Sequence, residues 1–359
     1  MRLHVVSVPH TQVTKAYSWC AFTNHVRVFC NMMSDLGHEV ILYAGSETEA
    51  RCSELVTCIT PEEQAEHFPN QIPVFDESRP EWRLFNDRAI MGLRVRARTD
   101  DYLCLIQGQA QKSIADSTPI QTVEFGVGYP GTLFDSKRIF VSRAWQNTVA
   151  GWQKTAGGAD GLFYDTVIPY PFEVNEFPIG DGLGDYLLFV GRLIERKGLE
   201  IVRLVAERTG LPLVVAGFGD ESLIPKGAEF VGVVEPAQRA ALMGAARAVL
   251  MPTLYLEPFG AVAVEAQLCG TPAITTDFGA FPETVVQGVT GYRCHDLGEF
   301  TWAANHAGEL DRTRIRADAR SKFSTEVIRG RFDDYFHLLD TLHDALGWYA
   351  DRERSPIHG

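Results

Sequence analysis

The sequence predicts an α/β protein built as two doubly wound, Rossmann-like domains facing a cleft. Three observations lead there. Short apolar runs alternate with longer amphipathic segments through most of the chain, the pattern of a parallel sheet covered by helices on both faces. The alternation breaks once, at 171–185, where PFEVNEFPIGDGLGD carries two prolines and three glycines without apolar periodicity. The length of 359 residues suits two domains at about 150 residues each.

In the first half, strands are expected over 3–8, 39–43, 55–60, 102–107, 120–125, 138–142 and 166–169, with helices over 19–36, 81–98 and 145–155. Pro9 ends the first strand, and Gly37 closes the first helix as a C-cap. After the break the pattern restarts, with strands over 186–190, 211–216, 229–233, 248–251 and 272–276. Helices are expected over 198–209, 236–246, 260–269 and most of 297–349. This gives a first domain over 1–172 and a second over 184–325. Ligands of such sheets bind in the crevice at the carboxyl ends of the strands. Residues 352–359 read as a frayed tail.

Composition narrows the function. The net charge of −13 argues against general nucleic-acid binding, which draws on lysine and arginine. The seven cysteines form no C-x-x-C or zinc spacing and read as reduced thiols. MRLHVVSVPH lacks a signal-peptide core, and no run approaches about 18 apolar residues, so a cytoplasmic protein without a transmembrane segment is expected. One basic stretch stands out. Residues 79–98 hold six arginines against Glu81 and Asp87, with Trp82, Phe85, Met91 and Leu93 interleaved. It reads either as a helix with arginines facing water or as a surface for an anionic acceptor or membrane. Trp302, Phe332, Tyr335 and Phe336 read as core.

Two groups of residues carry chemistry. In GRLIERKGL, Arg192 follows a strand and Lys197 stands five residues on, at the start of a helix. Two cations beside helix amides suit a diphosphate; the plainer reading is a charged turn capped by Gly198. In EPFGAVAVEA, Glu257 precedes a helix that contains Glu265, about 12 Å away along the axis if the rise is helical throughout. The free amides near Phe259, Gly260 and Ala261 lie between them. The plainer reading makes Glu257 a helix-dipole partner and Glu265 a solvated side chain.

Taken in order, these motifs resemble glycosyltransferase family 4, retaining enzymes of the GT-B fold. The resemblance rests on Gly191-Arg192, Lys197-Gly198, Val215-Ala216-Gly217-Phe218-Gly219-Asp220 and Met251-Pro252-Thr253. Glu257-Pro258-Phe259-Gly260 through Glu265-Ala266, Gly270-Thr271-Pro272, and Pro282-Glu283 complete it, and it covers about 186–293. It implies a metal-independent hexosyltransferase acting on a nucleotide sugar, with no cofactor. Arg192 and Lys197 would meet the diphosphate, Glu257 the sugar hydroxyls and Glu265 the ribose. The amides of Phe259, Gly260 and Ala261 would touch the sugar, and Val233 would flank the base. The last helix, about 331–349, would pack back on the first domain. UDP is the expected nucleotide on frequency alone, and the acceptor is an unidentified hydroxyl compound.

The first domain departs from the family pattern. The loop after the first strand reads Pro9-His10-Thr11-Gln12-Val13-Thr14, without glycine; His10, Thr11 and Thr14 are the groups it offers to a phosphate or acceptor. Glu124 stands where relatives often carry a histidine, as a candidate base or charge stabiliser; the alternative is a buried glutamate held by amides. Lys197→Ala or Glu257→Ala is expected to lower turnover about a hundredfold or more while the melt barely moves. Two rivals stay open: another GT-B enzyme such as a phosphorylase or epimerase, and a nucleotide-sugar-binding protein without transfer.

Overall fold

The computed structural model describes residues 1–69, 75–133, 136–158 and 162–343. Its first sheet is formed by β1 (Arg2–Val6), β2 (Glu39–Gly45), β3 (Glu54–Ile59), β4 (Tyr102–Leu105), β5 (Gln121–Val127), β6 (Lys137–Phe140) and β7 (Thr166–Val167). The helices between them are α1 (Ala21–Asp35), α2 (Pro61–His67), α3 (Pro80–Arg96), α4 (Lys112–Asp116) and α5 (Arg143–Thr155). The order β3-β2-β1-β4-β5-β6-β7 is parallel throughout. Strands such as VILYAG in β2 and YLCL in β4 are apolar at nearly every position because helices cover both faces. Helix α1 buries Val26, Phe29, Cys30 and Met33, one face at helical spacing.

The second sheet holds β8 (Leu187–Val190), β9 (Leu213–Ala216), β10 (Glu229–Gly232), β11 (Ala248–Met251), β12 (Ala273–Thr276) and β13 (Gly291–Cys294), in the order β10-β9-β8-β11-β12-β13. Its helices are α6 (Leu199–Thr209), α7 (Pro236–Ala245), α8 (Ala261–Leu268), α9 (Phe281–Thr284), α10 (Leu297–His306) and α11 (Arg312–Phe323). The edge strand β13 was not expected from the sequence. The final helix, α12 (Thr325–His343), returns to the first sheet and packs on α1, placing Ile328, Phe332, Tyr335, Phe336 and Leu339 in the first core. The expected end of that helix and the tail at 352–359 lie outside the described residues.

The two sheets are joined by two adjacent passages of chain. Phe172 and Ser324 form a parallel bridge, with Phe172 N–H donating to Phe323 O (2.8 Å) and Thr325 N–H to Phe172 O (3.0 Å). The glycine-rich linker is not loose: Arg312 donates to Gly180 O (3.1 Å) and Gly244 O (2.6 Å), tying it to α7 and α11. All seven cysteines are free thiols. Among the described residues, no helix is long and apolar enough to cross a membrane.

Trp302 departs from the core expectation. Phe332, Tyr335 and Phe336 of α12 are buried as expected, but Trp302 is 53% exposed on α10. The helical segment at 79–98 also resolves. Trp82, Phe85 and Leu93 face the core, while Arg79, Arg88 and Arg96 pair with Glu81, Glu63 and Glu54. Half of its arginines are therefore neutralised by carboxylates of the same domain, and Arg83, Arg94 and Arg98 face outward.

Candidate functional site

Strand order reverses between β1 and β4 in the first sheet and between β8 and β11 in the second. At such a switch point the loops leaving two neighbouring strands diverge and open a crevice. In the second sheet those loops are 191–198 and 252–260, which together carry Arg192, Lys197 and Glu257. Two glycines make their packing possible. Gly217 sits at φ +145°, and a Cβ there would stand 1.8 Å from Gly191 O, so the loop after β9 lies directly against the loop after β8. Gly260 sits at φ +82° and caps α8, with Phe281 filling the place of any side chain.

Lys197 donates from Nζ to Glu257 Oε2 at 2.9 Å, and the Tyr255 hydroxyl donates to the same oxygen at 2.9 Å. The ammonium also lies over the Tyr255 ring at 4.9 Å, and the Arg196 guanidinium lies over it at 4.6 Å. Side-chain exposure is 17% for Lys197 and 12% for Glu257. Burial alone would lower the lysine pKa, but Glu257 and Tyr255 raise it above the ordinary value, so it stays charged. Arg192 is exposed and its guanidinium meets no partner among the described residues. The N–H groups of Gly260 and Ala261 likewise meet no acceptor among the described residues, leaving an open helix N-terminus beside the pair.

Glu265 is placed differently from the sequence expectation. The helix begins at Ala261, so the chain from Glu257 to Gly260 is a loop and the helical rise does not measure the gap between the two carboxylates. Glu265 is not solvated. Burial pushes its pKa up, while Arg239 of α7 lies 3.1 Å away and favours the charged form. The pair sits in a crevice between the domains with Ser18, Asn24, Glu173 and Glu176. Val233, 68% exposed, follows β10 at the same end of the sheet. Phe259 is buried and packs on Tyr170 and Phe172, so it contributes backbone rather than side chain to the cleft.

In the first domain, three of the candidate side chains are enclosed. His10 is 1% exposed, its Nε2 lies 3.3 Å from Cys20 Sγ, and burial lowers its pKa to about 4. Thr11 is fully buried and shares a hydrogen bond with Thr23. Both side chains are enclosed; Thr14 is half-buried and begins a short turn with its hydroxyl unused as a cap. Glu124 is fully buried and accepts from Tyr129 Oη (2.5 Å), Thr132 Oγ1 (2.6 Å), Leu133 N–H (2.8 Å) and Ser136 Oγ (3.4 Å). Burial raises its pKa and these donors oppose the rise. Its place is that of an organiser of the loop after β5, with its lone pairs taken.

Amide side chains that the sequence analysis did not single out hold this loop in place. Gln12 donates to Gln64 Oε1 (2.6 Å), and Gln64 donates to His10 O (3.0 Å), pinning the glycine-free loop to α2. Gln111 donates to Ser7 O (2.7 Å) and accepts from Gln107 N–H (2.9 Å), bridging the first switch point. The domains also meet directly. Glu283 of α9 accepts from the N–H groups of Arg143 (2.9 Å) and Ala144 (2.8 Å) at the start of α5, and Ser142 Oγ donates to Pro258 O (2.6 Å).

Two facing doubly wound domains, with a basic–acidic cluster at the second switch point, define the GT-B class of fold. Solved structures agree. AviGT4, a glycosyltransferase involved in avilamycin A biosynthesis, superposes with a TM-score of 0.69 at 18% identity, covering 95% of this chain and 98% of that one. Anabaena Alr3699/HepE, solved with UDP-glucose, gives 0.65 at 15% identity over 94% and 99%. Residues 181–297 match the family model Glycosyl transferases group 1. Among curated proteins, the D-inositol 3-phosphate glycosyltransferase of Mycobacterium bovis (strain BCG / Pasteur 1173P2) is 34% identical over 192 residues, or 46% of this chain. The matched region spans 38% of that relative's length.

Proposed function

We propose that the protein is a retaining glycosyltransferase that moves a sugar from a nucleotide diphosphate to a hydroxyl of an acceptor, without a metal. The observation that carries this reading is the Lys197–Glu257–Tyr255 cluster beside the open N-terminus of α8, with Arg192 exposed on the adjoining loop. The family match over 181–297 supports it, as do relatives that are themselves glycosyltransferases.

In this reading the diphosphate lies between Arg192, Lys197 and the amides of Gly260 and Ala261. The bond from the anomeric carbon to the diphosphate oxygen breaks, and its electron pair leaves with the nucleotide. The acceptor oxygen forms its new bond on the same face and gives its proton to the departing phosphate oxygen. Two fixed cations meet the growing negative charge, the electrostatic task that a metal performs in other transferases. Glu257 holds the sugar hydroxyls, Glu265 the ribose and the Val233 backbone the base. Glu124, His10 and Thr11, each enclosed in the first domain, are assigned no contact with the donor in this reading.

Incubation with UDP-, GDP- and ADP-sugars, with and without EDTA, tests the proposal through thermal shift and release of free nucleotide. Stabilisation by one nucleotide family, unchanged by EDTA, together with slow donor hydrolysis is the expected result. No shift at millimolar nucleotide would overturn the donor site. A shift without any turnover would favour a binding protein. UDP is the first nucleotide to test, since HepE was solved with UDP-glucose.

A further inference from the structure

A groove outside this cleft lies between the edge strand β13 and the start of α10. It measures about 490 Å³, within the ordinary range for small-molecule sites. Its floor is aromatic. Trp302 stacks on His306 at 4.1 Å and 16°, meets the Tyr292 ring edge-on at 5.3 Å, and remains 53% exposed. His306 covers one face of the indole, and about half of Trp302 stays open to solvent. Gly298, one helical turn earlier, places no side chain beside it. His306 is itself held, its Nδ1 lying 2.8 Å from Trp302 O. The platform is therefore rigid before anything binds, which lowers the entropic cost of using it.

The walls are polar and balanced in charge. Arg293 donates to Asp277 (3.2 Å), and the His295 ring lies between Glu299 (3.1 Å) and Asp277 (3.5 Å). Arg293 Nε is buried and has no hydrogen-bond partner among the described residues. Two carboxylates disfavour a phosphate or nucleic acid, and the guanidinium disfavours a cation. A peptide strand is disfavoured too, because the outward main chain of β13 is already occupied. Arg293 N–H donates to Gln287 Oε1 (2.7 Å), and Gln287 Nε2 donates to Arg293 O (3.4 Å), which blunts the sheet edge.

A flat apolar face beside fixed, alternating donors and acceptors matches one kind of ligand, a ring with an apolar C–H face and equatorial hydroxyls. We infer that this groove binds a neutral saccharide, with a pyranose ring stacked on Trp302 and its hydroxyls bridging Arg293, Asp277 and Glu299. The inference stands apart from the transferase reading. The groove is nonetheless close to the cleft, since the turn that starts at Asp277 continues to Ala280, whose N–H donates to Glu257 O (2.9 Å).

The full chain is screened on an array of neutral oligosaccharides (α- and β-glucans, mannans, xylans and galactans of two to six residues). The tightest binder is then titrated by calorimetry and by tryptophan fluorescence. At least one such glycan binds the wild type, and Trp302→Ala weakens it about tenfold or more, as does Arg293→Met. Circular dichroism melts of both variants check folding. An array without a neutral glycan hit overturns the inference. So does a Trp302→Ala affinity within twofold of wild type, or displacement of the glycan by UDP, which would place it in the donor cleft. Failure here leaves nucleotide binding intact, so the two readings fail separately.

Discussion

Removing Lys197 tests whether its pairing with Glu257 holds the site together as well as serving chemistry. The two charges meet at 2.9 Å with most of both side chains shielded from solvent. At an effective dielectric near 20, opposite charges about 4 Å apart attract by about 4 kcal/mol, and desolvation of both ions takes back much of it. A net coupling of about 1–3 kcal/mol remains. Lys197→Met leaves the Glu257 carboxylate with the Tyr255 hydroxyl alone, so a loss of about 2 kcal/mol is expected. That corresponds to a fall of about 4–8 °C in the melt of a domain this size. Sequence alone leads to a different expectation, that the melt would barely move, because it does not show the two side chains paired and shielded. Glu257→Gln should cost less, and the double variant should recover most of the loss because neither charge is then stranded. Turnover should fall about 100- to 1000-fold in each single variant. Denaturant melts of the four proteins and nucleotide-release kinetics supply the numbers. Single-variant losses that add to the double within about 0.5 kcal/mol would show the pair uncoupled, and a single variant keeping more than a tenth of wild-type turnover would remove the residue from the mechanism.

His25 is enclosed by Phe125, Tyr170 and Phe332, neither ring nitrogen has a hydrogen-bond partner among the described residues, and burial lowers its pKa to about 3. The unfolded chain binds a proton near pH 6.5 that the folded chain refuses, so stability falls as pH drops below that value, by about 2 kcal/mol between pH 7 and 5. His25→Phe should flatten that slope by this amount in denaturant melts at the two pH values; an unchanged slope would show that the ring is charged in the fold. Gly260→Ala should lower the melt by about 1–3 kcal/mol, because φ is +82° and the new methyl would stand 2.7 Å from Phe281 Cε1. It should also weaken nucleotide binding, and a neutral substitution would mean that α8 starts elsewhere. Glu283→Ala should speed amide exchange at Arg143 and Ala144 about tenfold or more, since the carboxylate is their acceptor across the domain boundary; unchanged exchange would show that the contact is not maintained in solution.

Much of the architecture was legible because it follows from periodicity. Val26, Phe29, Cys30 and Met33 announce α1, and Gly37, at φ +82°, announces its end. The loops carrying Lys197 and Glu257 were legible from their order along the chain, Gly191-Arg192 and Lys197-Gly198 ahead of Glu257-Pro258-Phe259-Gly260, since a charged turn taken alone is common. Other features leave no local trace. Glu265 and Arg239 lie 26 positions apart, and only the packing of α7 on α8 brings them together. Glu124 read as a candidate base because a buried carboxylate and a catalytic one look alike in sequence; its four donors come from a loop whose path is not periodic. Gln12, Gln64 and Gln111 were missed since an uncharged amide advertises neither charge nor burial. The edge strand GYRC was hidden by the glycines around it, and Trp302 was assigned to the core because hydropathy does not record which face of α10 is covered.

The return of α12 to the first sheet has a consequence for how the molecule is made. Five side chains from Ile328 to Leu339 complete the hydrophobic core that begins at Leu3. A ribosome adding about 5–20 residues each second needs roughly 10–30 s to travel from the linker to the last of them. Throughout that interval the first sheet is present with α1 uncovered on one side, and by its end the second domain has gained all its own parts and is free to close. The half synthesised first is therefore the half finished last. An arrested or truncated chain would expose the apolar stripe of α1, the surface on which a holding chaperone or an aggregate would first form.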